Sequence, residues 1–156
     1  MRVAAYVRAS ATLALALAIP PVCTRGETPA AQSSAVLAPI HALFAGMAHR
    51  NPDTIKAAAL PGTVFVLMRD GKPEQMTVET FAEHVARPSH VRIEERIHDP
   101  LIRVYRDLAV VWASFEFFAD GKPDHCGTDL FNLVHTDGKW LIAGVADTGS
   151  KDCTPK

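Results

Sequence analysis

Between residues 124 and 133 the chain reads DHCGTDLFNL, which places Asp124, His125, Cys126, Asp129 and Asn132 within ten positions. Residues of these types act as metal ligands, as nucleophile and base, or as hydrogen-bond partners of a ligand. Spacing decides among these roles. The seven histidines, at 41, 49, 84, 90, 98, 125 and 135, form no His-x-x-x-His arrangement, and no Cys-x-x-Cys pair occurs, so no metal is expected. His98-Asp99 and His125-Cys126 are chain neighbours, and neighbours in a strand project to opposite faces. Both histidines are therefore expected at exposed turns. Without a Gly-rich phosphate loop either, no cofactor is expected.

Which of the remaining polar groups meet depends on the elements that carry them. Val36, Leu37, Ile40, Phe44 and Met47 have helical spacing over 34–49, with Pro39 near the first turn or at a bend. Asn51-Pro52-Asp53 starts a shorter helix over 54–60, and Thr77 caps a third that Arg87-Pro88 closes. TVFVLMR, at 63–69, has strand composition and ends at the Asp70-Gly71 turn. From His90 onward, VRIEERIH, LIRVY, AVVWASFEFF, GTDLFNLVH and KWLIAGVAD read as strands. They are separated by the turn-forming pairs Asp99-Pro100, Arg106-Asp107, Asp120-Gly121 and Asp137-Gly138. The expected architecture is α+β: three N-terminal helices packed on a strongly curved antiparallel sheet.

A two-residue turn at Asp137-Gly138 sets Asn132 opposite Ala143, and the period of two then sorts the faces. One face collects Ile93, Glu95, Ile97, Phe115, Phe117, Leu130, Asn132, Val145 and Asp147. The other carries Arg92, Glu94, Arg103, Trp112, Glu116, Asp129, Phe131 and Ile142. A bulge in any strand would exchange these assignments locally. The helices cover the apolar face, so Glu95, Asn132 and Asp147 are expected in the concavity between the layers. A carboxylate there has a raised pKa suited to proton transfer, or bonds a ligand or a structural partner. Phe115, Phe117 and Val66 would supply apolar contacts. The mixed outer face is expected to make a homodimer.

Composition fixes the setting. With 156 residues, 48% hydrophobic and 21% charged, the chain has material for one globular domain. Arg2 and Arg8 precede or open an apolar run, Ala9 to Ile19, followed by Pro20, Pro21 and small polar residues, the pattern of a secretory signal peptide. Residues 1–30 are read as signal and short linker, and 31–156 as the domain. The apolar run is too short to span a bilayer of ~30 Å, so no membrane span is expected after cleavage. Cys23 would suit a lipoprotein anchor, but Pro20-Pro21 fit such a site badly. Cleavage after Ala30 leaves 13 basic against 16 acidic side chains, which excludes a basic nucleic-acid surface. The mature chain is expected in the periplasm or secreted. It keeps two cysteines, Cys126 and Cys153, in a compartment that permits a disulfide. In the estimated register, position 126 lies opposite about 149, so the four following residues can swing Cys153 back to it.

The runs HDPLIRVYRDLAVVWASFEF and CGTDLFNLVHTDGKWLIAGVADT, after the helices and with a late cysteine, resemble the nuclear transport factor 2-like superfamily, particularly its exported bacterial members. The resemblance covers roughly residues 35–153 and implies a cone-shaped fold with a pocket between the first helices and the concave sheet. This fold hosts isomerases, dehydratases, cyclases and binding modules alike. Against the ketosteroid isomerase branch, Asn132 falls where that branch keeps its protonated acid, the base position falls near Val66, and no tyrosine occurs around Leu43. Two functions follow as expectations. One is an exported protein that binds a small, largely apolar molecule through Glu95, Asn132 and Asp147. The other is a dehydratase, isomerase or cyclase using Glu95 or His41 as general base.

Overall fold

A computed structural model of the protein describes residues 29–153; the expected signal peptide lies almost wholly outside them. The elements run α1 (Pro29–Ala48), α2 (Pro52–Ala57), β1 (Val64–Arg69), β2 (Lys72–Thr77), α3 (Val78–Ala86), β3 (Ile93–Tyr105), β4 (Leu108–Ala119), β5 (Lys122–Thr136) and β6 (Lys139–Ser150). The strands form one sheet in the order β2-β1-β6-β5-β4-β3, antiparallel throughout except where β1 joins β6. Among the described residues no helix is long and apolar enough to cross a membrane.

Helix α1 buries Val36, Ile40, Leu43, Phe44 and Met47 along one stripe. It begins before the expected boundary, so Pro39 lies inside it and not near its first turn. Gly46 permits close crossing of the next helix, because a Cβ there would stand 2.9 Å from the Ile55 side chain. Asn51 caps α2, its Oδ1 accepting from the Asp53 and Thr54 amides at 3.0 and 3.1 Å. Thr77 caps α3 through the Thr80 amide. The Arg50 guanidinium donates to the carbonyls of Val85 and Val91, each at 2.8 Å, and so ties the end of α1 to the last turn of α3 and the segment that follows it.

The sheet departs from the expected meander in two places. KPEQMT, which has little strand character, pairs with β1 as a hairpin closed by Asp70-Gly71. Asp99-Pro100 is no turn but a bulge, with the register shifting between His98 and Leu101, so the two expected strands are halves of β3.

A second bulge decides which residues face the helices. Pairing from the Asp137-Gly138 turn proceeds as expected to Leu133 opposite Ile142, but Asn132 then faces Gly144, leaving Ala143 as the extra residue. Phe131, Leu133, Ile142 and Val145 all become buried, between 0 and 8% exposed. The unbulged register would have buried Asn132 and Ala143 in place of Phe131 and Ile142, with less apolar surface removed from water. Asp129, Phe131 and Ile142, expected outside, are therefore inside. Asn132, expected inside, is exposed.

Cys126 and Cys153 form a disulfide with their Cα atoms 5.6 Å apart, fastening the chain after β6 to β5. Unfolded, unreduced protein is expected to show no free thiol among these two. Reduction should lower unfolding stability by roughly 3 to 4 kcal/mol, the chain-entropy value for the 27-residue separation. Thiol titration and urea unfolding with and without reductant check both.

Candidate functional site

The concave sheet face and the helices enclose a cavity of about 200 Å³. Leu43, Phe44 and Met47 of α1, with Phe81 and Val85 of α3, form an entirely apolar roof. Beneath them Phe65 and Leu67 of β1, Phe117 of β4, Phe131 of β5 and Val145 of β6 continue the apolar wall. Phe44 meets Phe131 edge-on, with ring centroids 6.2 Å apart, so that contact joins roof to floor.

Among the described residues, polar groups enter the cavity only from the sheet. Asp129 and Asp147 are direct partners across β5 and β6, and Leu67 lies opposite Asp147 across the parallel β1 pairing. Arg69, two residues further on β1, donates from Nη1 and Nη2 to Oδ1 and Oδ2 of Asp147 at 2.7 and 2.8 Å. The Met68 amide also donates to Asp147 Oδ1, at 3.2 Å. Asp147 is thus held in a two-pronged ion pair that fixes its geometry.

Glu95 and Asp129 are held differently. Burial of the Glu95 carboxyl, then the charge of Asp129, a hydrogen bond to Asp129 and the charge of Asp147 raise its pKa well above the usual carboxylate range. Asp129 is only 3% exposed. Burial and the charge of Asp147 push it up to about 7, against the Glu95 hydrogen bond and the charge of Arg69. The pKa values of Glu95 and Asp129 are thus both raised, and a hydrogen bond links the two carboxyls. Asp129 Oδ2 is buried and has no hydrogen-bond partner. Two coupled carboxyls, both raised and one of them to about 7, can exchange a proton with a ligand.

His125 stands at the rim. Its ring stacks on Phe117, with centroids 4.7 Å apart, and Nδ1 lies 2.8 Å from Asp124 Oδ2, while Lys151 Nζ donates to the other oxygen of Asp124 at 2.8 Å. A shift in the β4–β5 register between Phe117 and Phe118 makes Asp124 an extra residue. That bulge brings two chain neighbours within bonding distance, contrary to the expectation from strand alternation. His125 is consequently no exposed turn residue. An open groove outside the cavity is lined by Arg69, His125 and the backbone around Gly149, making these two side chains the threshold between groove and cavity.

Of the residues expected in the pocket, Glu95, Asp147 and Phe117 line it. Phe115 is buried core beside the His125 ring and does not reach the cavity surface. Val66 is displaced by strand alternation, since Phe65, Leu67 and Arg69 of β1 take the inward positions. His41 is exposed, on the side of α1 away from the Ile40–Phe44 stripe, and Asn132 is exposed for the register reason given above. Asp129, Arg69 and His125 are the site residues that sequence reasoning missed. Gly144, an isolated glycine within a strand, was the available signal of a bulge. Among the described residues no group of three His, Cys, Asp or Glu side chains is placed to hold a metal ion.

Comparisons with known proteins agree with this architecture. No curated protein sequence matches the chain. Among solved structures, an NTF2-like protein from Cytophaga hutchinsonii is similar at 18% identity and a TM-score of 0.65, over 76% of this chain and 98% of that one. An NTF2-like protein of unknown function from Shewanella baltica gives 14% and 0.62, over 79% and 97%. A cystatin-like-fold domain of unknown function from Nostoc punctiforme gives 15% and 0.61, over 78% of each chain. These similarities concern the fold. A family model described as "Putative lumazine-binding" matches residues 31–145, most of the sequence. The chain belongs to that lumazine-binding-like family, and its fold is the one seen in the NTF2-like structures.

Proposed function

We propose that the protein is an exported binder of a small, largely apolar molecule, which sits in the cavity with its polar end at Glu95, Asp129 and Asp147. The observation that carries this reading is the division of the cavity, whose aromatic and aliphatic roof and walls converge on one polar end. The family's description, which names lumazine, supports a small organic ligand. An engineered apolar cavity of ~150 Å³ holds one benzene ring. A cavity of about 200 Å³ therefore suits a single ring with a short substituent, and a longer ligand would emerge past Arg69 and His125.

Export rests on Arg2, Arg8 and the apolar run to Ile19, read as a signal peptide ahead of a domain over 31–156; the Cys126–Cys153 disulfide is compatible with a periplasmic or secreted protein. A homodimer through the outer sheet face is part of the same proposal. Leu101, Tyr105, Leu108, Val110 and Trp112 are 40 to 71% exposed there, and Leu101 lies directly opposite Trp112.

Native mass spectrometry of protein purified from its own cell envelope tests the binding reading. A retained small molecule is expected on the wild type and not on Val85→Trp, which fills the cavity from its roof. Wild-type protein that carries nothing, and shows no cavity-located NMR shifts with small aromatic fragments, would overturn it. The same spectra should show a dimer of the mature chain.

The Glu95–Asp129 pair favours a second reading, a dehydratase, isomerase or cyclase in which a pocket carboxylate is the base. A carboxyl near pH 7 is matched to proton transfer at neutral pH. Neither His41 nor Asn132 has a part in it, since both are exposed.

A further inference from the structure

We propose that the cavity selects a protonated amine on a small apolar body, with the ammonium group at Asp129 and Glu95 and the body against Phe44, Phe117 and Phe131. The inference rests on the binding reading above and specifies its ligand class. Its starting point is the unpartnered Asp129 Oδ2, an acceptor buried on a residue that lines the cavity. A buried acceptor without a partner is destabilising until a donor arrives. Among the described residues that line the cavity none donates to this oxygen: both Nη atoms of Arg69 are taken by Asp147, His125 Nδ1 lies against Asp124, and the helices facing the cavity present only apolar side chains.

Charge points the same way. The titratable and charged groups that face the cavity are Arg69 from β1, Glu95 from β3, His125 and Asp129 from β5, and Asp147 from β6. The single guanidinium is matched by Asp147, leaving Glu95 and Asp129 without a cation. An anionic ligand would meet two carboxyls and a cation already engaged. An ammonium group instead gives the pair the positive charge it lacks, and the surrounding aromatic faces favour a cation further. Because Asp129 holds a proton up to about pH 7, binding an ammonium expels it, so affinity falls as the medium is acidified.

Benzylamine, benzyl alcohol and benzoate share one ring and differ in the polar group, which makes them a direct probe set for calorimetry and NMR. At pH 8 benzylamine is expected to bind roughly tenfold tighter than benzyl alcohol, the usual advantage of a charge-assisted hydrogen bond. Benzoate is expected to bind weakest. Benzylamine affinity should fall from pH 8 to pH 5, with buffer-dependent heats reporting proton release, while benzyl alcohol changes little. Asp129→Asn should abolish the preference, and Glu95→Gln should reduce it. Equal binding of alcohol and amine, or a preference that survives Asp129→Asn, overturns the amine inference and leaves the pocket intact. If none of the three perturbs the cavity, both the inference and the binding reading fall. The pH series on the wild-type protein decides the matter even if Asp129→Asn does not fold.

Discussion

Replacing Asp129 with asparagine is expected to stabilise the protein at pH 8, by on the order of a few kcal/mol, while leaving its stability near pH 4 almost unchanged. The carboxyl is 3% exposed and its pKa is pushed from an ordinary 3.8 to about 7 by burial and by Asp147. Between those two values the unfolded chain has lost its proton and the folded chain keeps it. The unfolded state then binds fewer protons, so stability decreases as pH rises through this window. The contribution is fully present below pH 4 and is lost through about 7; Glu95, raised by its burial and by the charge of Asp129, acts in the same sense. Asparagine has nearly the same shape and no charge to desolvate, so the variant's stability should fall less steeply than the wild type's, with Glu95 alone still contributing to the decline. Exposed carboxylates held low, such as Glu79 by the Gly62 amide, act in the opposite sense, gaining stability as pH rises through about 4, and their exposure keeps that effect small. Urea unfolding at pH 4, 6 and 8 for both proteins measures the difference. A wild-type curve that rises from pH 5 to 8, or an asparagine variant that is less stable at pH 8, would show that Asp129 is ionised and satisfied in the folded state.

This destabilisation is informative about purpose. Ile, Leu or Val at position 129 would fill the floor beside Phe131 without desolvating a charge, and replacing buried charged groups with apolar ones is often stabilising. The chain instead spends stability on an acceptor that nothing in the protein satisfies. Such a group is more readily understood as part of a binding or catalytic site than of the core. Asp147 is different, since the Arg69 fork and the Met68 amide satisfy it, and its role is to neutralise Arg69 and add negative potential at Asp129.

What could be read from the sequence follows the range of the interactions concerned. The helical stripe Val36 to Met47, the Asn51 and Thr77 caps and the Asp-Gly turns are local, and local chemistry dictates them. Glu95 could be placed because β3 alternates regularly between Ile93 and Ile97. Strand β2 has no composition of its own to mark it and exists because β1 offers an edge to pair with. Arg69 reaches Asp147 only through the parallel β1–β6 pairing, between segments 78 residues apart, which no local pattern signals. The inward polar group of β5 is Asp129 and not Asn132, because a single extra residue at Ala143 inverts parity along the rest of the β5–β6 pair. Asp147 faces inward as expected because it shares a face with Val145, beyond the extra residue at Ala143.

The register argument makes its own prediction at two adjacent positions. Phe131→Ala is expected to lower unfolding stability by about 3 to 5 kcal/mol, whereas Asn132→Ala should stay within about 0.5 kcal/mol of the wild type. Phe131 is 1% exposed, joins the sheet to α1 through its edge contact with Phe44, and lines the cavity floor. Truncating it removes a large buried ring and leaves a void that the rigid sheet cannot close. Asn132 lies on the outer face, opposite Val110 on one side and Gly144 on the other, and loses little on truncation. With urea slopes of ~1 to 3 kcal/mol/M, the first substitution lowers the unfolding midpoint by about 1 M or more, and the second is barely measurable. An unbulged sheet reverses the order, with Asn132 in the core and Phe131 in solvent. Because Phe131 is also cavity wall, the surviving folded fraction of Phe131→Ala should admit bulkier amines than benzylamine. That pairing of lost stability with relaxed size selection separates a residue that shapes a binding site from one that only fills a core.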